Sequence, residues 1–425
     1  MLPSADLILH NIGQLLTMAP ELHPTADPDP ARRVLGILTR ASLAVSGERI
    51  AWIGPDADRA RAVTQAPGCR MVDARGAVLL PGLVDCHTHL VFAGSRSAEF
   101  ARRLAGATYE EILAAGGGIH STVRATRAAS EEELSELALP RLRRLLALGV
   151  TTVEVKSGYG LETEAELKIL RVARALGARQ PVEIVPTFLG AHVVPAEHRA
   201  DRAAYLAILT EEMIPRVAEE KLARFCDVFC DEGAFSLAET RAILLAARAC
   251  GLLPKLHAEQ LTRSGSIELA IELGAVSVDH LEHVSPEDAV LLGQSRTAAV
   301  LLPGATYFLR KRDHAPGRLL CDSGCRVAVS TDLNPGSSMT ENLPLMLNMA
   351  CLGCGLTVPE AILAGTLGGA QALGLDDRLG RLAPGYQADL LLLDLADFQD
   401  FLYHYGVSHT REVYKRGRLV FSASP

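Results

Sequence analysis

Two histidines, His87 and His89, stand one residue apart at the end of an apolar run that begins at Pro81. In an extended strand alternate side chains point to the same face, so the two imidazole rings converge on one point. Neutral imidazole is a good ligand for zinc, iron and nickel. The spacing therefore indicates a transition-metal site, and the alternative is two unrelated polar residues at the end of a strand.

Three more polar residues, His257, His280 and Asp332, end other β-rich segments. The carboxyl ends of barrel strands form one face, where active sites are built, so these residues can meet the histidine pair although they are far apart in sequence. Each of them alone also fits a buried or capping polar residue. Together the five predict a metal-dependent catalytic site.

The elements that position these residues are short β-rich segments that alternate with helical segments after about residue 80, the pattern of a parallel sheet with helical crossovers. Strands are predicted at 82–89, 151–156, 183–189, 226–231, 253–258, 276–281, 298–303 and 326–332. Eight strands within residues 80–370 predict an α/β fold, a closed (β/α)8 TIM barrel, which typically takes about 250 residues. An open doubly wound sheet is the alternative, but no Gly-x-Gly-x-x-Gly turn follows a strand.

Both ends of the chain have a different pattern, that of short antiparallel strands. They are predicted at 5–17, 41–53, 388–394 and 411–421, with turns at Ser46-Gly47 and Arg416-Gly417. We expect one small β-sandwich domain from residues 1–75 plus 375–425, and a catalytic barrel from residues 76–374. The stretch from Pro20 to Pro30 is interpreted as a surface loop within the small domain.

Helix starts are predicted from capping boxes and from prolines in first turns. The boxes are Ser130 with Glu133, Thr163 with Glu166 and Ser236 with Glu239, and the prolines are Pro286 and Pro359.

Composition limits the classes of partner. A formal net charge of -8 over 425 residues, without acidic or basic blocks, argues against nucleic acid and an anionic membrane, so a small-molecule ligand is expected. No signal peptide or apolar run of membrane-spanning length is evident, and nine cysteines fit free thiols in a reducing compartment. We therefore expect a cytoplasmic protein.

Several passages carry a resemblance to a known family. Besides the strand that ends in the histidine pair, they are Phe92-Ala93-Gly94-Ser95-Arg96, Gly116-Gly117-Gly118-Ile119, Val155-Lys156-Ser157-Gly158-Tyr159-Gly160, Thr187-Phe188-Leu189-Gly190-Ala191-His192, Thr331-Asp332-Leu333-Asn334-Pro335-Gly336-Ser337-Ser338 and Ala383-Pro384-Gly385-Tyr386-Gln387-Ala388-Asp389. They resemble the amidohydrolase superfamily and, within it, the imidazolonepropionase family, over essentially the whole chain.

The resemblance implies hydrolysis of the cyclic amide C–N bond of 4-imidazolone-5-propanoate to N-formimidoyl-L-glutamate, in histidine degradation. It also implies one divalent or trivalent metal ion per chain, zinc or iron, and a homodimer. The metal ligands would be His87, His89, His257 and Asp332. Asp332 would also take the proton of the attacking water, and His280 would orient that water or stabilise the oxyanion.

The substrate carries a carboxylate, which a guanidinium can bind through two parallel hydrogen bonds. The resemblance assigns substrate or product contacts to Arg96, Tyr159, His192, Gln260, Asn334, Gly336 and Ser337. Without that likeness, Arg96 would be interpreted as a solvated surface residue.

Two departures from the pattern of many relatives affect the chemistry. Strand four has no lysine to bridge two metals, and Lys156 falls on strand two, so a single metal is predicted. After His257 the chain has Gln260 where many relatives have a carboxylate; its amide can accept a hydrogen bond but cannot act as a base. Glu259 is not expected to substitute, because neighbouring strand residues face opposite ways.

Two other functions remain open. The same barrel and ligand set suit a purine or pyrimidine deaminase, although a neutral base would not need Arg96. A catalytically inactive relative that serves as an assembly partner would be expected to have lost ligands, and none is missing. The first loop, Leu90 to Leu148, is a candidate lid, in which glycines 116–118 are either a hinge or a plain turn.

Overall fold

The computed structural model describes residues 2–22, 29–108, 111 and 116–423. Its strands are β1 (Ser4–Leu16), β2 (Ile37–Ser46), β3 (Arg49–Pro55), β4 (Thr64–Asp73), β5 (Val78–Pro81), β6 (Leu83–Asp85), β7 (Val150–Lys156), β8 (Glu183–Ala191), β9 (Phe225–Cys230), β10 (Leu253–Ala258), β11 (Ser277–His280), β12 (Ala298–Leu301), β13 (Arg326–Val329), β14 (Leu390–Leu393), β15 (Thr410–Lys415) and β16 (Arg418–Ser422).

The α-helices in the same part of the chain are α1 (Pro30–Leu35), α2 (Arg59–Ala62), α3 (Ser97–Leu104), α4 (Ile119–Ala128), α5 (Glu131–Ala147), α6 (Thr163–Leu176), α7 (Arg202–Ala207), α8 (Ile214–Glu219), α9 (Leu237–Ala249), α10 (Ser266–Glu272), α11 (Pro286–Gly293), α12 (Pro303–Phe308), α13 (Gly317–Asp322), α14 (Leu343–Cys354), α15 (Val358–Leu363), α16 (Gly369–Ala372) and α17 (Asp400–Tyr403). None of these helices is long and apolar enough to cross a membrane.

Strands β6 to β13 form the predicted TIM barrel. They lie side by side in sequence order and all pair in parallel. Backbone hydrogen bonds bring the first strand to the last: His89 N donates to Leu333 O at 2.9 Å, and Asp332 N donates to His87 O at 3.1 Å. Three of the four residues in these closing bonds, His87, His89 and Asp332, are therefore also predicted site residues.

The predicted barrel strands agree with the observed ones in number and order, and β10 agrees at both ends. The predicted strands at 82–89, 298–303 and 326–332 continue past the observed carboxyl ends of β6, β12 and β13. One reason is visible in the backbone, because Asp332 adopts a left-handed conformation (φ 50°) that a regular strand does not allow. The regular strand pairing therefore ends at the point where the site residues begin.

Both chain ends join in one sheet, with strand order β16-β15-β14-β5-β1-β2-β3 and with β4 paired to β1. The strands from the two chain ends share one hydrophobic core, which includes Leu9, Leu43 and Leu392. The predicted turns at Gly47 and Gly417 are present, with φ of 59° and 74°. β5 belongs to this sheet although it falls in the predicted barrel range, because it pairs with β1 and β14. The division at residues 75 and 375 stays a prediction.

The capping boxes at Ser130 and Ser236 are confirmed. Pro286 and Pro359 lie in the first turns of α11 and α15, as predicted. The box at Thr163 is wrong: Thr163 is already helical, and the Glu166 carboxylate accepts hydrogen bonds from a neighbouring loop instead.

The described part of the predicted first loop contains three helices, α3, α4 and α5, and Gly116 and Gly118 precede α4 with positive φ. Whether these glycines act as a hinge stays a prediction. Much of the predicted surface loop from Pro20 to Pro30 lies outside the described residues, and α1 begins at Pro30.

Candidate active site at the carboxyl ends of the barrel strands

The five residues predicted to form the site meet at the carboxyl end of the barrel. The ring centroid of His87 lies 5.5 Å from that of His89, 4.6 Å from that of His257 and 5.6 Å from that of His280. Asp332 Oδ1 lies 3.5 Å from His87 Nε2 and 3.7 Å from His89 Nε2. All five are buried. The sequence-based prediction that they converge is confirmed.

The site suits a metal ion because buried ring nitrogens at its centre have no hydrogen-bond partner among the described residues. These include Nε2 of His87 and Nε2 of His257. Burial and nearby positive charge hold the pKa of His87 and of His89 well below the usual value, so both rings are neutral. Buried polar atoms are normally satisfied, and neutral imidazole nitrogens with a nearby carboxylate are metal-ligand chemistry.

Two carboxylates behind the rings fix the orientation of the histidines. His87 Nδ1 donates to Asp279 Oδ2 at 2.6 Å, and His257 Nδ1 lies 3.0 Å from Asp227 Oδ2. Each ring therefore directs Nδ1 toward a carboxylate and leaves Nε2 for the centre of the site. Carboxylates in this position set the tautomer of a ligating histidine and strengthen it as a ligand.

A buried ionic network lies below these carboxylates. Lys156 Nζ lies 2.7 Å from Asp227 Oδ2, 3.0 Å from Glu154 Oε2 and 3.4 Å from Asp279 Oδ2. Lys255 Nζ donates to Glu154 Oε1 at 2.8 Å. Burial lowers the pKa of Lys156, but the surrounding carboxylates outweigh it and the pKa is raised, so the ammonium stays charged. Lys156 lies on β7, the second barrel strand, as predicted.

A cavity of about 300 Å³ opens above the histidines. Of the predicted site residues, its lining includes His89, Arg96, Tyr159, His192, His257, Gln260, His280, Asp332, Asn334, Gly336 and Ser337. His87 is not among the residues that line this cavity. A larger cavity of about 930 Å³ lies against the sheet that both chain ends form, and none of these residues lines it.

Arg96 reaches the cavity, but its guanidinium is arranged differently from the prediction. Its Nε donates to Glu99 Oε2 at 3.0 Å and its Nη2 donates to Glu99 Oε1, so the Nε–Nη2 edge of the guanidinium is already paired with a carboxylate. Its Nη1 lies against Gly336, where an added Cβ would be 2.2 Å away. Gly336 therefore allows the close approach of Arg96, and a second side chain at that position would displace it.

The loop after β13 is held by its own polar groups. The Asn334 carbonyl Oδ1 accepts from the backbone N of Gly336 and of Ser337, both at 2.8 Å. Ser337 Oγ donates to Asp332 Oδ2 at 3.2 Å. Asn334 and Ser337 therefore fix the shape of the loop and the position of Asp332, and the backbone amide of Gly336 is already occupied.

Tyr159 and His192 also line the cavity, with their rings beside that of His89. The ring of His192 stacks on that of His89 with centroids 5.1 Å apart, and burial lowers the pKa of His192 to about 4. Glu166 Oε1 accepts from the backbone N of Gly160 at 2.7 Å and of Leu161 at 2.8 Å, which fixes the turn that carries Tyr159. Burial raises the pKa of the Tyr159 hydroxyl, which stays protonated.

His280 and Gln260 complete the site. His280 Nδ1 lies 3.8 Å from Glu282 Oε1. Burial lowers the pKa of His280, but the carboxylates of Glu282 and Asp332 outweigh it, and the pKa is raised. Glu259 faces away from the site, as predicted: its carboxylate accepts from the backbone N of Ser266 at 2.9 Å.

Comparison with known proteins identifies the family. Residues 78–420 match the sequence profile described as "Amidohydrolase family". An imidazolonepropionase from Myxococcus xanthus is 50% identical over 414 residues, 97% of each chain, and one from Symbiobacterium thermophilum is 46% identical over 418 residues, 98% of this chain and 97% of the relative. The chain belongs to the amidohydrolase family.

Solved amidohydrolase-like structures support the fold of the chain. A 5-methylcytosine deaminase from Klebsiella pneumoniae superposes with a TM-score of 0.74 at 17% identity and covers 98% of each chain. An adenosine deaminase from Xanthomonas campestris with bound zinc gives a TM-score of 0.72 at 18% identity and covers 99% of this chain and 93% of that one. At this identity the likeness shows that the amidohydrolase fold is shared, and it does not extend to substrate.

Three residues next to the candidate ligands of this amidohydrolase site were not predicted from the sequence, namely Asp227, Asp279 and Glu282. A signal for the first two was present, because Asp227 lies within the mostly apolar strand β9 and Asp279 within a strand predicted for the barrel, and both strands are buried. A charge in such a strand is stable only when it is paired, so it points to a partner across the barrel.

Proposed function

We propose that the chain is an imidazolonepropionase, which hydrolyses the cyclic amide C–N bond of 4-imidazolone-5-propanoate to N-formimidoyl-L-glutamate in histidine degradation. The observation that carries the proposal is the convergence of His87, His89, His257 and Asp332 beneath a cavity whose rim holds Arg96. Relatives named imidazolonepropionase at 46–50% identity over nearly the full chain support the choice of substrate.

We propose that these four residues hold one metal ion, zinc or iron. When bound, such an ion polarises the substrate carbonyl and lowers the pKa of a water molecule toward neutrality. The buried carboxylates of Glu154, Asp227 and Asp279, which could otherwise attract a second cation, already pair with the ammonium of Lys156. That arrangement supports a single ion.

Asp332 is the proposed proton acceptor for the attacking water and the proton donor to the departing ring nitrogen. Burial raises the pKa of its carboxyl, while the nearby histidines lower it in part, so its affinity for a proton is increased. Ser337 holds the other carboxylate oxygen at 3.2 Å and fixes its direction. His280 is the proposed donor to the oxyanion that forms on the carbonyl.

The remaining cavity residues are proposed to bind the substrate. Arg96 would contact the propanoate through Nη1, since its Nε and Nη2 already donate to Glu99. Gln260, Tyr159 and His192 would contact the ring, while Asn334, Gly336 and Ser337 hold the loop above it. We also propose a cytoplasmic homodimer.

The test is the loss of the ultraviolet absorbance of imidazolonepropanoate with purified protein, before and after chelation and with metal restored. We expect rapid turnover that the chelator abolishes and added metal recovers. Metal-loaded Asp332→Asn should lose about 10²–10⁴-fold in kcat, the range for a general acid–base residue. The exposed Asp58→Asn, in the short helical turn after β3, is the matched control.

If metal-loaded wild-type protein does not exceed the spontaneous decay of the substrate, the proposal is wrong. Ammonia release from purine and pyrimidine bases would then test the deaminase alternative. Retained turnover in metal-loaded Asp332→Asn would refute the proton-transfer role alone.

A further inference from the structure

We propose that Arg103 is a second recognition residue for the substrate carboxylate, and that it provides the net positive charge of the cavity rim. This inference rests on the proposed function, because that function supplies the carboxylate-bearing substrate. It concerns a residue outside the site predicted from the sequence, on the same helix α3 that carries Glu99.

The predicted carboxylate partner, Arg96, is already neutralised. Two of its nitrogens donate to the two oxygens of Glu99, a side-chain pair of which each member is only 12–13% exposed. Glu99 also accepts from the backbone N of Gly118 at 2.9 Å. The pair of Arg96 and Glu99 thus carries no net charge and leaves only part of one guanidinium for a ligand.

Arg103 lines the same cavity one helical turn after Glu99. Its guanidinium carbon lies 5.7 Å from the ring centroid of Phe100 and 5.1 Å from that of Phe308, and these two rings stack at 4.9 Å. In residues 2–22, 29–108, 111 and 116–423, no carboxylate forms a salt bridge with Arg103. Packing on ring faces holds a guanidinium in place and leaves its in-plane N–H groups available for an anion.

The charges of the rim then match the ligand. Four charged residues line the cavity, and one of them, Asp332, belongs to the proposed metal site. Of the other three, Arg96 and Arg103 contribute two positive charges and Glu99 one negative charge, which leaves a surplus of one positive charge on this side of the cavity. A single carboxylate on the substrate balances that surplus. Without Arg103 the rim would be neutral, and a propanoate would gain little from entering it.

The neighbouring Arg102 provides the matched control, because it lies on the same helix, is exposed, and is absent from the cavity lining. A general effect of charge on α3 would appear in Arg102→Gln as well as in Arg103→Gln. Recognition at the cavity would appear in Arg103→Gln alone.

The experiment measures binding of two probes to the metal-loaded protein by titration calorimetry at pH 8.5. Imidazole-4-propanoate carries the carboxylate, and 4-methylimidazole lacks it. We expect Arg103→Gln to weaken binding of the propanoate about tenfold, the scale of one charge-assisted hydrogen bond. Binding of 4-methylimidazole should be unchanged. Arg103→Lys should recover most of the loss, and Arg102→Gln should match the wild type.

Kinetics give a second readout. Arg103→Gln should raise KM for imidazolonepropanoate about tenfold and leave kcat nearly unchanged, because a group that binds the ground state and the transition state alike affects KM. Equal weakening of both probes would assign Arg103 to packing against Phe100 and Phe308 and would overturn the inference. Unchanged binding of both probes would also overturn it.

Failure of the proposed function is distinguishable from failure of this inference. If wild-type protein does not turn over imidazolonepropanoate, the proposed function is wrong, yet the ratio of the two probe affinities still reports whether Arg103 recognises a carboxylate.

Discussion

Replacement of Asp279 by Asn tests whether the carboxylates behind the histidines control the metal. Asp279 Oδ2 accepts from His87 Nδ1 at 2.6 Å, and both side chains are fully buried. Asparagine has nearly the same shape but removes the negative charge that would strengthen the proposed ligand His87. Loss of such a partner typically weakens metal binding about 10–100-fold, or about 1.4–2.8 kcal/mol.

The same substitution removes one partner of a buried cation. Lys156 Nζ lies 3.4 Å from Asp279 Oδ2, and at an effective dielectric constant of about 20 two unit charges at that distance attract by about 5 kcal/mol. The cost of desolvating the carboxylate offsets part of this attraction, and Glu154 and Asp227 still pair with Lys156. We therefore expect the free energy of unfolding of the metal-free protein to fall by about 3 kcal/mol.

Two measurements separate these effects. Competition with a chromogenic chelator gives the metal affinity, and urea unfolding of chelator-treated protein gives the stability of the metal-free chain. The exposed Asp377→Asn is the control and should change neither. Wild-type metal affinity in Asp279→Asn would refute the reasoning about His87. Loss of stability without loss of affinity would assign Asp279 to the ionic network only.

Two other perturbations have defined outcomes. Glu166→Gln weakens the hydrogen-bond acceptor that holds the turn carrying Tyr159, so kcat/KM should fall about tenfold, or about 1.4 kcal/mol, while the circular dichroism spectrum stays unchanged. Glu164→Gln on the same helix is the control, and equal kcat/KM in the two variants would contradict this role of Glu166. The pKa of His192 is about 4 when folded and about 6.5 when unfolded, so its contribution to stability is fully present above about pH 6.5 and is lost as the pH falls toward 4, by about 3 kcal/mol. Urea unfolding of wild type and His192→Gln between pH 4 and 7 checks this, and equal slopes with pH would count against it.

The positions of the candidate metal-site residues were predictable because each ends a β-rich segment, and the carboxyl ends of barrel strands form one face. The partners of those residues were not predictable from the same rule. Asp279 meets His87 from β11, and Asp227 meets His257 from β9, so each contact depends on strand register and on the closure of the ring. Arg96 and Glu99 have the i,i+3 spacing of a side-chain pair on a helix, but no helix was predicted there, so their pairing was not predicted.

The fold was predictable where the pattern is local. Strand β10 has a regular run of buried residues and agrees with its prediction at both ends. Strand β4 was missed because its side chains are mostly exposed and it contains Pro67 and Gly68, which usually interrupt a strand. The box at Thr163 failed because Glu166 is recruited by a loop, a tertiary contact that a four-residue motif does not contain.

The pairing of β5 with β14 has a consequence for synthesis of the protein on the ribosome. Pro81 pairs with Leu390, so one edge of β5 stays unpaired until a strand about 300 residues later in the chain has been synthesised. At about 5–20 residues per second, that wait is roughly 15–60 s. During this time the nascent amino-terminal strands expose an apolar, unpaired edge, which is a template for aggregation. The barrel thus grows while its first sheet is incomplete, and chaperone demand should be greatest before the carboxyl-terminal strands emerge.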